Sequence, residues 1–224
     1  MDIRFLGHAC FTLSDGDTTV LIDPFLSQNP KAAASADEMD PATILLSHGH
    51  SDHVGDAVAI AKRTGAPVFA ITELAGELSG EGLETINCNL GGTHEFDWGT
   101  AKLVPAWHTS TTDKGTVSTP AGLLVNFKDT LVYHLGDTCL FSDLQLVGKR
   151  RQVDVALMPI GGHFTMDRFD AVDAAEFVGA TTVIPCHYNT FPLIETDAEA
   201  FKADVESATS SKVAVLEPGD TFSA

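Results

Sequence analysis

Basic residues are scarce. Only 13 Lys and Arg stand against 31 Asp and Glu, giving a formal net charge of −18 over 224 residues. Such a field repels phosphate backbones and anionic bilayers, so neither a nucleic-acid nor a membrane partner is expected. A small anionic substrate stays open, because bound cations reverse the field locally. The acid excess also suits life at high salt. Long apolar runs are missing as well. Stretches such as "TVLID" and "TILLS" cover a few residues, far short of the ~20 needed to cross a bilayer. The start, "MDIRFLGHAC", lacks the basic head, apolar segment and small-residue cleavage site of a secretory signal. A cytoplasmic location is the expectation. Cys10, Cys88, Cys139 and Cys186 form no CxxC pair, so reduced thiols are expected, with Cys186 a small buried hydrophobe. GxGxxG and P-loop patterns are absent, and no nucleotide cofactor is indicated.

What is present is enough apolar material, 44% of residues, for one domain over 1–224. "DIRFLG", "CFTLSD" and "TTVLID" read as strands with a turn at Asp15-Gly16-Asp17. Residues 28–41 read as a polar loop with room for one helical turn. "ATILLS" is a continuous apolar run, as in a buried strand. "VGDAVAIAKRTG" has helical spacing and a glycine stop. "PVFAI" is a strand, with a short helix near 72–79. "HEFDW", "TAKLVPAWH", "AGLLVNF", "TLVYHLGD" and "VDVALMPI" follow as strands. "RFDAVDAAEFVGA" and "DAEAFKADVESATS" read as helices, and "TTVIPCH" and "KVAVLEP" as strands. Strands in both halves with interspersed helices suggest two sheets back to back, helices outside, and periodicity alone leaves another α/β architecture open.

The densest chemistry lies in "SHGHSDH", residues 47–53. A solvated turn, a metal store and half of a catalytic metal centre are the competing readings. His48 and His50 flank Gly49, which permits a sharp turn. Asp52 and His53 add an oxygen and a nitrogen. Four donors on one short loop strain a single tetrahedral site, and two ions taking two donors each fit better. Further donors stand at the ends of apolar runs: His108 closes "LVPAWH", Asp137 closes "LVYHLGD" and His187 closes "TVIPCH". Strand ends are where side chains from distant segments meet on a rigid frame.

This pattern resembles the metallo-β-lactamase fold superfamily. "FLGHACFTL", "LIDPF", "YHLGDT", "PIGGHFTM" and "PCHYNTFP" are similar to a small branch of metal-dependent hydrolases that looks related to the ascorbate-6-phosphate lactonases. The resemblance covers nearly the whole chain. It implies an α/β fold, an αββα sandwich of two mixed sheets with outer helices and the metals at one sheet edge. It implies His48, His50 and His108 on a first metal, Asp52, His53 and His187 on a second, and Asp137 bridging them. Asp23 in "LIDP" matches an aspartate that orients the metal loop. Assembly into a homo-oligomer is compatible with the lactonase relation. His50 stands where the oxygen-reducing diiron branch carries Glu, which argues against that redox role. Asp137 stands where lactamases of the commonest dizinc class use Cys, which argues against antibiotic hydrolysis.

Other residues keep two readings. His8 is either satisfied by backbone near the core or a wall of the site. His134 reads as structural, since strand alternation puts it opposite Asp137. His163, in the glycine-rich loop after "MPI", reads as a substrate contact or an exposed loop histidine. Trp107 packs in the core or faces the pocket, and His94 reads as surface. Lys149, Arg150 and Arg151 form the one basic run, by default a solvated face, otherwise a phosphate-binding patch. The expected activity is a dinuclear hydrolase that activates water against a small ester, lactone or phosphoester. Asp52 or Asp137 would orient the water and take its proton, and His163 or His8 would hold the oxyanion or leaving group. The ions would be zinc, with manganese or iron admissible. The alternatives are a small-nucleotide phosphodiesterase and a non-catalytic metal sensor.

Overall fold

Alternating and continuous apolar segments pair as their periodicity requires. The computed structural model describes residues 1–224. β1 (Asp2–Gly7), β2 (Cys10–Ser14), β3 (Thr19–Ile22), β4 (Thr43–Leu45), β5 (Val68–Ile71) and β6 (Thr85–Cys88) build the first sheet. β7 (Thr93–Phe96), β8 (Gly99–Pro105), β9 (Ala121–Phe127), β10 (Thr130–His134), β11 (Val155–Pro159), β12 (Thr182–Cys186) and β13 (Lys212–Val213) build the second, in sequential order. β14 (Thr221–Ser223) returns to the first sheet and pairs antiparallel with β1. Both sheets are mixed: antiparallel hairpins lead into parallel strands.

The inner faces share one core. Ile3, Phe11 and Ile44 from the first sheet meet Leu103, Leu123 and Phe127 from the second, all fully buried. Each such side chain contributes about 1.5–3 kcal/mol by leaving water. α2 (Ala57–Thr64) and α3 (Thr72–Gly80) cover the outside of the first sheet through Ile60 and Leu74. α4 (Arg168–Val178) and α5 (Ala198–Ala208) cover the outside of the second through Ala174 and Phe201. The result is the αββα sandwich. No helix is long and apolar enough to cross a membrane.

Several boundaries differ from the sequence reading. The helix expected from "VGDAVAIAKRTG" is two: α1 (Ser51–Val54) and α2. Gly55 interrupts it at φ +41, where an added Cβ would lie 2.4 Å from the Pro24 carbonyl oxygen. Asp56 then turns away from the helix and accepts from the backbone N–H groups of Leu26 and Ser27. β6 and β14 are edge strands too short and half-exposed to show a period. The last expected strand, 212–218, keeps only two residues, because the chain crosses to the other sheet. The loop over 28–41 does hold one turn, a 3-10 turn at Ala36–Glu38, capped reciprocally by Ser35 and Glu38. His94 is half-buried with its ring 4.6 Å from that of Phe96, rather than a free surface residue.

Strand direction decides what meets at the edge. β3 and β4 run parallel, β8 and β10 both run against β9, and β10, β11 and β12 run parallel. Their carboxyl ends therefore open at a common rim, and each is followed by one of the donor segments.

Candidate metal centre

The histidine loop leaves β4 through Ser47. Asp23, which follows β3, is fully buried and holds that exit at three points. Its carboxylate accepts from the Ser47 backbone N–H at 2.8 Å and the Ser47 hydroxyl at 2.6 Å. It also accepts from His53 Nδ1 at 2.7 Å. With Nδ1 as the donor, the His53 Nε2 lone pair is left free for a cation. Ser47 passes the same constraint on. Its hydroxyl proton goes to Asp23, so its oxygen accepts from His48 Nδ1 at 3.0 Å. His48 Nε2 then also carries a free lone pair. Asp23 thus hydrogen-bonds the loop that the resemblance expects it to orient, and Ser47, which carried no reading in the sequence, extends the network to His48. Ser47 was findable as the first residue of the motif.

Gly49 is needed for closeness rather than for an unusual φ. A Cβ there would lie 3.0 Å from Thr112 Cγ2 and 3.2 Å from Ser110 Oγ. The Ser110 hydroxyl accepts from the Gly49 N–H at 2.9 Å. His50 precedes α1 and makes no side-chain capping bond. Its Nδ1 lies 3.0 Å from His48 Nε2.

The distant donors arrive on the same rim. His108 Nε2 lies 3.5 Å and His48 Nε2 3.9 Å from Asp137 Oδ2. On the other side, His187 Nε2 lies 3.2 Å from Asp137 Oδ2, and His53 Nε2 3.3 Å from Asp137 Oδ1. The Asp137 carboxylate therefore stands between two sets of imidazoles. Gly136, at φ +65, turns the chain to present it, and a Cβ there would lie 2.6 Å from the Ala121 carbonyl oxygen. Donor atoms of His48, His50, His108 and Asp137 lie within 4.8 Å of one another, and so do those of His8, Asp52, His53 and His187.

His8 joins the second group, which settles its burial but not through the backbone. Its Nε2 lies 3.1 Å from Asp52 Oδ2 and its Nδ1 2.9 Å from Thr190 Oγ1. Thr190 carried no sequence signal, since the pairing needs two loops to cross. His134 is buried away from the donors. Its Nε2 donates to the Ala9 carbonyl at 3.0 Å and its Nδ1 accepts from the Gly136 N–H at 3.0 Å. The alternation argument for it lapses, because β10 ends at His134. His163 is exposed at φ +53, edge-on to Phe164, and makes no side-chain hydrogen bond with any donor. Trp107 is 66% exposed, so it is not core.

Charge and burial are opposed throughout. Burial raises a carboxyl pKa, yet the His187 and His53 imidazoles hold Asp137 well below the usual range. Burial is likewise outweighed at Asp52 by His187, His53 and His8, which keep it ionised. Burial disfavours charge on His187, but Asp137 and then Asp52 raise it to about 9. Burial and the neighbouring His187 charge lower His8 to about 4. Burial also lowers His48, His50 and His108, so these rings are neutral and ready to ligate.

The residues fit divalent cations on an observation independent of pattern. His53 Nε2, Asp137 Oδ1 and both ring nitrogens of His187 are buried without a hydrogen-bond partner. Unpaired buried polar atoms are rare and costly; His53 Nε2, Asp137 Oδ1 and His187 Nε2 converge on one centre where bound cations would satisfy them, whereas His187 Nδ1 lies on the far side of its ring.

Two mixed sheets with imidazoles and carboxylates gathered where the strands end define the metallo-β-lactamase fold class. A family model described as the beta-lactamase superfamily domain matches residues 2–187, and the chain belongs to that family. It is 43% identical over 222 residues to a UPF0173 metal-dependent hydrolase of Natranaerobius thermophilus, covering 99% of each chain. It is 46% identical over 228 residues to one from Methanopyrus kandleri, again covering 99% of each. Among solved structures it is similar to Igni18, a metallo hydrolase of Ignicoccus hospitalis. That match has 37% identity and a TM-score of 0.91, covering 100% of this chain and 98% of that one.

Proposed function

We propose that the chain is a dinuclear metal-dependent hydrolase acting on a small ester, lactone or phosphoester. The observation that supports two ions is the Asp137 carboxylate, flanked at 3.2–3.9 Å by ring nitrogens from both histidine sets. In this reading His48, His50 and His108 would hold one cation, Asp52, His53 and His187 would hold the other, and Asp137 would serve both. Five imidazoles and two carboxylates suit zinc and admit manganese or iron. When bound, such cations supply Lewis acidity and lower the pKa of water toward neutrality.

The chain's own residues do the rest. Side-chain exposure is 4% for Asp137 and 31% for Asp52, and His50 and His108 are also partly exposed, so solvent reaches the centre past Asp52 and past these two rings. Asp52 is the residue able to orient an incoming water and receive its proton. His8, anchored by Thr190, holds the Asp52 carboxylate in place while it does so. Trp107, beside His108, offers an apolar lip for the organic part of the substrate. A contact of His163 with the leaving group is supported by its loop being tied to the Asp137 segment, where the Met166 N–H donates to the Thr138 carbonyl.

The test is an assay of the metal-loaded protein with p-nitrophenyl esters, a panel of lactones and bis-p-nitrophenyl phosphate. Turnover of at least one class, lost on chelation and restored by metal, is the expected result. Two tightly bound metals with no turnover on any class would make the protein a metal sensor. For His163→Ala, the expected outcome is unchanged metal content with a raised KM or lowered kcat. Unaltered kinetics would return His163 to an exposed loop residue.

A further inference from the structure

The helices do not cover the whole second sheet. α4 and α5 pack over β11 to β13, and the outer faces of β8 and β9 lie beyond them. A groove of about 590 Å³ runs there, between β8–β10 and the 142–151 segment, within the ~300–1,000 Å³ of small-molecule sites. Strand alternation builds its floor. Leu103, Leu123 and Val125 point into the shared core, which turns Val104, Leu124 and Leu131 outward. Leu146, 52% exposed, and Val147 form the opposite wall.

The groove carries the basic run that the metal centre does not use. Lys102, Lys149, Arg150 and Arg151 line it, four of the 13 basic residues in a chain of net charge −18, with Asp143 the one acid in the lining. Arg151 is already engaged, with Asn126 Oδ1 at 2.7 Å and with Asp154. The other ion pairs of Lys and Arg use Lys62, Lys114, Lys128 and Arg168. Lys102, Lys149 and Arg150 therefore have no carboxylate partner. An apolar floor beneath unpaired cations is complementary to an amphipathic anion.

We propose that this groove binds an elongated apolar ligand with one carboxylate head, of the fatty-acid type. The tail lies on Leu124, Leu146 and Val147, above the nearly covered Val104 and Leu131, and the head meets Lys102 and Arg150. None of these residues belongs to the metal donors, although β8 runs from this floor toward His108.

The test is calorimetric titration of the metal-loaded protein with decanoate below micelle formation, with acetate and decyltrimethylammonium as controls. Decanoate is expected to bind, acetate not, and the cationic surfactant far more weakly. Two variants carry the decision: the double variant Lys102→Gln/Arg150→Gln, and Leu146→Glu at an exposed position. Each should weaken decanoate about tenfold or more, the first by losing charge-assisted contacts and the second by placing a carboxylate on the apolar wall, with metal content and ester turnover unchanged. No decanoate binding overturns the proposal. So does equal affinity in both variants, which would place the carboxylate on the metal centre. Equal binding of decyltrimethylammonium overturns it too, as does a dimer that Leu146→Glu dissociates, which would make the groove an interface between copies.

Discussion

At the scale of single residues, the donors were legible because their chemistry is carried by identity and spacing. His48, His50, Asp52 and His53 are neighbours in sequence, and His108, Asp137 and His187 each close an apolar run. The hydrogen bonds that set their tautomers were only partly legible. Asp23 could be assigned by resemblance, but its three bonds to Ser47 and His53 depend on β3 and β4 lying side by side. The contact of His8 with Asp52 and Thr190 needs three segments to converge, and no local pattern encodes that. A clear expectation follows for Asp23→Asn. It keeps the size but weakens the acceptor for His53 and Ser47, so metal affinity should fall about 10–100-fold. Equilibrium dialysis with metal analysis reads this directly. Asp137→Ala should lose both metal and activity, and full metal retention there would remove Asp137 from the site.

At the scale of elements, strands were easier to read than their ends. The runs that became β3, β4, β9 and β11 are continuous or alternating and lie deep in the core. β14 was missed because an edge strand of three residues carries no period. The split between α1 and α2 was missed because helical spacing continues across Gly55. Only the fold shows the Pro24 carbonyl occupying the space of a side chain. Gly55→Ala combines that clash with a positive φ, so about 2 kcal/mol or more of stability should be lost. Chemical denaturation measures it. A loss no larger than that of Gly65→Ala would show that the 24–25 backbone yields freely. Gly65→Ala is the fitting control, since its φ is +78 but nothing lies within 4 Å of an added Cβ.

For the molecule as a whole, the cluster links stability to metal and to pH. In metal-free protein, burial opposes charge on His187, yet Asp137 and Asp52 raise its pKa to about 9, above the ~6.5 of an unfolded histidine. A raised basic pKa stabilises the fold fully below ~6.5, and that contribution is lost as pH rises through the folded value. Metal-free protein should therefore melt at progressively lower temperature between pH 6.5 and about 9. Bound cations replace the proton beside Asp137, so metal-loaded protein should not show this loss, and the gap in Tm should widen with pH. Parallel Tm curves for the two forms would contradict the coupling. Strand-rich halves with interspersed helices suggested two sheets back to back but left other α/β architectures open; the αββα sandwich came from the family resemblance. The common rim was expected from the donors that close apolar runs, whereas the strand directions that create it were not legible, because they depend on which strands pair parallel.

The central claim is that Asp137 stands between two cations. Anomalous diffraction from crystals of the metal-loaded protein, collected at the absorption edges of zinc, manganese and iron, tests it most directly. The account predicts two peaks, one among His48, His50 and His108 and the other among Asp52, His53 and His187, with the Asp137 carboxylate touching both. A single peak, or peaks away from Asp137, would contradict it.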